Sequence, residues 1–210
     1  MHNLVLVKHS LPEIDETKPA KEWQLGFEGR VRCKALADAL MGYHPDVVIS
    51  SVEPKALQTA RMLVGLLDES TLPRETMEGL HEHDRSEVGF LSKEEFEKRV
   101  EEFFAKPDQK VLGAESADEA HDRFARAIRA ALVKHGERTM IVVAHGTVIS
   151  LFVSRLAKID PFPLWKFLDL PSYVVLSLPE LNLLKIAPSL NHESHFATLR
   201  GLRDSNERIT

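Results

Sequence analysis

Residues 4–13 read LVLVKHSLPE, a short apolar run that ends in a cation, an imidazole and a hydroxyl. Four consecutive apolar residues, two of them β-branched, predict a strand that is covered on both faces, as in a parallel sheet. Lys8, His9 and Ser10 follow directly, and Pro12 lies two residues further on. The strand is therefore expected to deliver three polar side chains to one edge of a sheet.

The composition excludes several classes of protein. The chain has 210 residues, of which 43% are hydrophobic and 28% charged, enough for a sizeable core in one domain or two small ones. A net charge of −5 argues against a basic surface that binds nucleic acid or anionic membranes. The single cysteine, Cys33, has no partner for an internal disulfide, and no apolar run approaches the roughly 18 residues of a membrane span. We therefore expect a soluble, cytoplasmic protein that binds neither nucleic acid nor membrane.

Apolar runs and amphipathic segments alternate along the rest of the chain. The patterns predict further strands at 47–49, 73–77 and 140–144, a closing pair at 174–178 and 183–186, and helices at 28–41, 53–67, 93–104, 116–135 and 148–156. Alternating strands and helices indicate an α/β fold, a three-layer α/β/α sandwich with a mostly parallel central sheet. We predict one domain over residues 1–190, with a cap insertion at about 83–113, and a polar tail over 191–210.

Three of the predicted strands end in polar residues. Lys8-His9-Ser10 follows the first strand, Ser50-Ser51 follows the second and leads to Lys55, and His145-Gly146-Thr147 follows the strand at 140–144. The carboxyl ends of parallel strands share one edge, which is where α/β proteins bind ligands. We therefore expect these three groups to lie close together.

That set of side chains suits an anion, most naturally a phosphoryl group. Two imidazoles, two ammonium groups and helix N-termini at one place attract and orient negative charge. A neutral histidine can attack phosphorus, and the cations can spread the charge of the transferring group. Breaking the bond to an alkoxide then needs an acid, for which a carboxyl group with a raised pKa is expected.

Four motifs resemble those of the histidine phosphatase superfamily, also called the phosphoglycerate mutase-like family. LVLVKHS resembles its Arg-His-Gly strand end, and SSVEPKALQTA (50–60) its Ser-Ser-x-x-x-Arg-Ala-x-Gln-Thr-Ala motif. GAESADEAHDRF (113–124) and VVAHGTVISLF (142–152) resemble its Gly-Glu-Ser and late His-Gly elements. The resemblance spans residues 4 to about 187 in the family's order, and an ordered set is more specific than any single motif.

The resemblance implies a role for each matching residue. His9 would be the nucleophile that becomes phosphohistidine, and His145 would bind the phosphoryl oxygens beside the backbone N–H of Gly146. Glu82, in LHEHDR (80–85), stands where the family keeps its proton donor. Ser10, in the place of a glycine, would offer phosphate a hydroxyl or a backbone N–H. The family needs no metal or cofactor for this chemistry.

The positions of the phosphate-clamping arginines also depart from the family pattern. The two arginines that clamp phosphate in the family fall on Lys8 and Lys55. Lysine keeps the charge but lacks the bidentate fork of a guanidinium. A non-catalytic protein that binds a phosphoryl ligand, or a regulatory member of the same fold, is therefore an alternative to an enzyme.

A metallohydrolase is a further alternative. His81, His83 and Asp84 could form a metal cluster, because His-x-His on a strand would point both rings to one side. The interpretation that we favour is a phosphatase that hydrolyses a small phosphomonoester without a metal. A mutase is less favoured, since the loops that hold a phosphoglycerate during re-transfer have no clear counterpart. The sequence names neither the substrate nor an oligomeric state.

Overall fold

A computed structural model describes residues 2–68, 71–85 and 87–188. Its strands are β1 (Asn3–Lys8), β2 (Val47–Ser50), β3 (Arg74–Thr76), β4 (Met140–Ala144), β5 (Ser172–Ser177) and β6 (Leu183–Ala187). Its α-helices are α1 (Phe27–Leu40), α2 (Pro54–Leu67), α3 (Lys93–Ala105), α4 (Ala117–His135), α5 (Gly146–Ala157) and α6 (Pro161–Phe167). Short 3₁₀ turns lie at Ala20–Glu22 and Met41–Tyr43.

The six strands form one sheet in the order β3-β2-β4-β1-β5-β6. The first four of these run parallel, and β5 pairs antiparallel with both β1 and β6. Because β4 lies between β2 and β1, the carboxyl ends of these three strands are neighbours. The predicted mostly parallel α/β sheet, with its closing antiparallel pair, is confirmed.

Both faces of the sheet are covered, which explains the continuous apolar run of β1. Leu4 and Leu6 point to one side, where α3, α4, α5 and α6 pack. Val5 and Val7 point to the other, against α1 and α2. All four side chains are fully buried, as expected when a strand alternates between two cores. The predicted three-layer arrangement is therefore present.

Most helix ends follow the predicted signals. Ser116 caps α4 in a reciprocal capping box with Glu119, and Pro54 begins α2, where its missing N–H costs nothing. The short helix α6 was not predicted. Its signals were Asp160, whose side chain caps the helix, and Pro161 in its first turn. A second proline two residues later hides this start in the sequence.

The region predicted as a cap contains α3 between two loops. Its apolar face, with Val100 and Phe103, is buried in the core on the α4 side of the sheet. Its role as a cap stays a prediction, as do the domain bounds, and the predicted tail at 191–210 lies outside the described residues. No helix in the described part of the chain is long and apolar enough to cross a bilayer.

Candidate active site

The sheet brings His9 and His145 together at the ends of adjacent strands. His9 follows β1 and His145 follows β4, and the backbone N–H of His9 donates to the carbonyl of Ala144 over 3.0 Å. The two ring centroids are 5.1 Å apart. His9 is 7% exposed and His145 is fully buried. The two rings therefore lie side by side at the carboxyl edge of the sheet.

One hydrogen bond fixes the form of the His9 ring. Its Nδ1 lies 2.7 Å from the carbonyl oxygen of Ser10. Since a carbonyl can only accept, Nδ1 must carry the proton, which leaves a lone pair on Nε2. Burial, and next the charge of His145 and of Lys55, hold the pKa of His9 well below its usual range. At neutral pH the ring is therefore the uncharged, nucleophilic tautomer.

The loop after His9 is held by groups that are distant in sequence. The backbone N–H of Ser10 donates to Thr59 Oγ1 over 3.0 Å, and Ser10 Oγ donates to the carbonyl of Gly29 over 2.7 Å. A side chain on Gly29 would lie 2.0 Å from the carbonyl oxygen of Leu11, so only glycine allows this close approach. Ser10 was predicted to contact phosphate. In the structure its backbone N–H and hydroxyl hold the loop after His9, and its contact with phosphate stays a prediction.

His145 faces a hydroxyl and a carboxylate. Its Nε2 lies 2.9 Å from Ser51 Oγ and 3.6 Å from Glu53 Oε1, while its buried Nδ1 has no hydrogen-bond partner among the described residues. Burial, followed by the charge of Lys55, holds the pKa of His145 well below its usual range. His145 is thus a neutral ring whose Nε2 is positioned to donate.

The two lysines that replace the family's arginines both reach this edge of the sheet, and both have internal partners. Lys8 Nζ donates to the carbonyl of Leu168 over 2.6 Å. Lys55 Nζ donates to the carbonyl of Ala20 over 2.7 Å and forms an ion pair with Glu53. Burial lowers the pKa of Lys8 to about 8, although the carboxylates of Glu82 and Asp169 oppose the shift. Both ammonium groups are therefore bound to partners inside the protein rather than free in solvent.

Gly146 begins α5 directly against Lys8. A Cβ atom at Gly146 would lie 3.0 Å from Lys8 Cε and 3.2 Å from its Nζ. The Lys8 cation therefore lies against the first turn of α5, and this contact depends on the absence of a side chain at Gly146. Both groups favour an anion at the same place.

Glu82 also lies at the start of α5. Its carboxylate accepts hydrogen bonds from the backbone N–H groups of Thr147 (3.1 Å), Val148 (3.3 Å) and His83 (3.0 Å). Burial by itself would raise the pKa of Glu82, but the His83 ring, the nearby His145 ring and the Thr147 N–H outweigh it and hold the pKa well below its usual range. The expectation of a raised pKa is therefore wrong for the ligand-free protein, in which this carboxylate is itself the anion at the helix N-terminus.

Arg123, which sequence reasoning missed, holds the Glu82 loop in place. Its guanidinium donates to the carbonyl oxygens of Gly79 (2.8 Å), His81 (2.9 Å) and Glu82 (3.1 Å). It also forms a bidentate pair with Glu115. Glu115 belongs to the Gly-Glu-Ser motif, so this ion pair gives the motif a structural purpose.

We expect the Arg123→Ala substitution to lower the free energy of unfolding by about 3 kcal/mol, because it breaks the bidentate pair with Glu115 and removes the guanidinium donor of three carbonyl groups. Urea denaturation would measure the loss. Arg126→Ala, on the exposed side of the same helix, is the matched control and should change stability by less than about 0.5 kcal/mol. Equal losses in the two variants would show that the Arg123 network does not stabilise the loop.

The alternative metal site is not assembled. Residues 81–84 lie in a loop rather than a strand, so the two histidine rings do not share a side. The buried His83 ring packs on Phe103 with centroids 4.6 Å apart, whereas His81 Nδ1 approaches the carbonyl of Glu82. Among residues 2–68, 71–85 and 87–188, no three His, Cys, Asp or Glu side chains are arranged to hold a metal.

Comparison with known proteins identifies the class to which this fold and site belong. The chain matches the model of the histidine phosphatase superfamily (branch 1) over residues 4–180, and it belongs to that superfamily. The family assignment made from the four motifs is therefore confirmed. Comparison with curated protein sequences gave no significant match.

Several solved structures share the fold. A phosphoserine phosphatase from Entamoeba histolytica, determined as a mutant with phosphoserine, is 19% identical with a TM-score of 0.72, over 92% of this chain and 100% of the other. A mycobacterial glucosyl-3-phosphoglycerate phosphatase is 19% identical with a TM-score of 0.70, over 90% and 100%. YhfR from Bacillus stearothermophilus is 16% identical with a TM-score of 0.71, over 92% and 98%. At these identities the likeness concerns the fold.

Proposed function

We propose that this protein is a metal-independent phosphatase that hydrolyses a small phosphomonoester through a phosphohistidine intermediate. The observation that carries the proposal is the hydrogen bond from His9 Nδ1 to the Ser10 carbonyl. It leaves a lone pair on Nε2 in a ring that burial keeps uncharged. Membership of the superfamily and the phosphatase names of two structural neighbours support the same reaction class.

In the first half-reaction, His9 Nε2 attacks phosphorus and the ester P–O bond breaks. The leaving oxygen takes a proton from Glu82, while Lys8 and the His145 ring bind the phosphoryl oxygens. In the second, water attacks the phosphohistidine and gives its proton to the Glu82 carboxylate. The P–N bond then breaks, which frees His9 and inorganic phosphate.

Glu82 must gain a proton before it can act as an acid. In the ligand-free protein it is ionised, held by the N–H groups of Thr147 and Val148. A phosphate group at the same helix N-terminus brings negative charge close to the carboxylate and raises its pKa. We therefore infer that Glu82 takes up its proton when substrate binds.

A panel of small phosphomonoesters, assayed with purified protein in the presence and absence of chelator, tests the proposal. We expect turnover of at least one compound and no effect of chelator. Activity that chelator removes and zinc or manganese restores would favour a metallohydrolase instead. Tight binding of inorganic phosphate without any turnover would favour the second candidate, a non-catalytic phosphoryl-binding protein. The internal partners of Lys8 and Lys55 are the observation in favour of that candidate.

The lowered pKa of Lys8 predicts a fall in kcat/KM above about pH 8. Below that pH Lys8 is charged and attracts phosphate, and above it the ammonium group loses its proton. Because kcat/KM reports the free enzyme, the fall should move to higher pH in Lys8→Arg, whose guanidinium stays charged. Lys34→Arg, at an exposed position, is the control. An alkaline limb that Lys8→Arg leaves in place would exclude Lys8 as a phosphate ligand.

A further inference from the structure

Glu53 places a buried carboxylate among the groups assigned to phosphate. It stands at the start of α2, between Ser51 and Lys55, and is 6% exposed. Glu53 Oε2 forms the ion pair with Lys55 Nζ, and Glu53 Oε1 lies 3.6 Å from His145 Nε2. Oε1 also accepts a hydrogen bond of 2.8 Å from the backbone N–H of Glu82.

These three partners are the kinds of group that bind a phosphoryl oxygen: an ammonium, an imidazole and a backbone N–H. In the ligand-free protein Lys55 and the Glu82 N–H hold Glu53 instead, and the His145 ring lies 3.6 Å from it. The carboxylate therefore takes the place of an anion at the edge of the sheet.

Carboxylates lie among the cations at this edge. The two cations, Lys8 and Lys55, face two carboxylates, Glu53 and Glu82, and burial keeps both histidines neutral. A phosphate dianion entering this site meets Glu53 at close range. Like charges brought together without solvent cost several kcal/mol in binding free energy.

We propose that Glu53 is a specificity-determining residue that weakens the binding of free phosphate and shifts recognition to the rest of the substrate. The inference rests on the proposed function for the location of the phosphate site. A substrate gains binding from contacts of its leaving group beyond the strand ends, whereas inorganic phosphate does not. Released phosphate therefore leaves easily, and the enzyme resists inhibition by its product.

The Glu53→Gln substitution tests this directly, because glutamine keeps the shape and one acceptor oxygen but removes the charge. We expect the dissociation constant of inorganic phosphate, measured by calorimetry, to fall by about tenfold or more. Glu53→Asp keeps the charge and should retain the weak affinity of the original protein. Glu75→Gln removes the same charge at β3, where Glu75 pairs with Lys134, and is the matched control.

The outcomes separate this inference from the proposed function. Phosphate affinity that is unchanged or weaker in Glu53→Gln would overturn the role of Glu53, even if the protein turns over phosphomonoesters. A tighter phosphate complex in Glu53→Gln alone would support it, even if no turnover is found. Equal tightening in Glu53→Gln and Glu53→Asp would show that shape rather than charge is responsible, and would also overturn it. In an active enzyme, the kinetic counterpart is stronger inhibition of Glu53→Gln by phosphate together with a lower KM for substrate, because the phosphoryl group of the substrate meets the same carboxylate.

Discussion

Replacing His9 by alanine is expected to lower kcat by at least about 10⁴-fold, because no other described group at the strand ends offers an uncharged lone pair in the same position. In the original protein, a ³²P-labelled phosphomonoester should leave an acid-labile label on the chain. That label should be absent from His9→Ala. Rapid quenching followed by gel analysis measures the adduct, and steady-state assays measure the turnover.

His44→Asn is the control for loss of a histidine. His44 is exposed near the amino end of β2, away from the carboxyl ends, and its backbone has a positive φ of 48°. Asparagine tolerates that conformation, so the variant should keep both label and activity. Turnover that persists in His9→Ala would exclude the covalent route, whatever the control shows.

The Glu82→Gln substitution is expected to slow esters with poor leaving groups by roughly 10²–10⁴-fold and activated aryl phosphates far less. An alkyl oxygen needs a proton as its bond to phosphorus breaks, whereas an aryl oxygen leaves readily as the anion. Thr147 and Val148 donate to different oxygens of Glu82, so glutamine, which has one acceptor oxygen, can keep one of these two hydrogen bonds at the start of α5. The measurement is the slope of log kcat against leaving-group pKa, which should become steeper in the variant.

The Glu115→Gln substitution tests whether a loss of rate in Glu82→Gln comes from a shift of the Glu82 loop instead of the loss of the acid. Glu115 contacts the Glu82 loop through Arg123 and through the backbone N–H of Asp84. The Glu115→Gln substitution should affect alkyl and aryl esters to the same extent. A Glu82→Gln variant that also slows aryl and alkyl esters equally would show that Glu82 positions groups and does not donate the proton.

The acid limb of the pH–rate profile is a further test of the charge state of His9. Since burial holds the pKa of His9 and of His145 well below the usual range, both rings stay neutral under mildly acidic conditions. The rate should therefore not decline at the pH of about 6.5 where an ordinary histidine titrates.

Much of the architecture could be predicted from the sequence because burial leaves a local pattern. The apolar run of β1 indicated a strand between two layers, and the structure buries Leu4 and Val5 on opposite faces. The strand ends at His9 and His145 could be placed together because the carboxyl ends of parallel strands share an edge. The resemblance of four motifs, in the family's order, indicated the superfamily.

The sequence did not reveal which partners the polar groups choose, since these lie far away along the chain. The Ser10 hydroxyl binds the carbonyl of Gly29, and Arg123 holds a loop about 40 residues before it. No periodic pattern encodes such contacts. Gly29 could have been found only from the 2.0 Å approach that a side chain there would make.

The sequence by itself therefore determined the layers of the fold, the order of strands and motifs along the chain, and the residue types at the carboxyl edge of the sheet. Only the tertiary structure decided their charge states and their pairing. The pKa of Glu82 falls rather than rises because the His83 ring, His145 and the Thr147 N–H lie close to it and outweigh burial, and Lys55 is paired because Glu53 lies beside it. Burial patterns depend on neighbours in the chain, whereas electrostatic energies depend on distances in space, and the fold alone sets those distances.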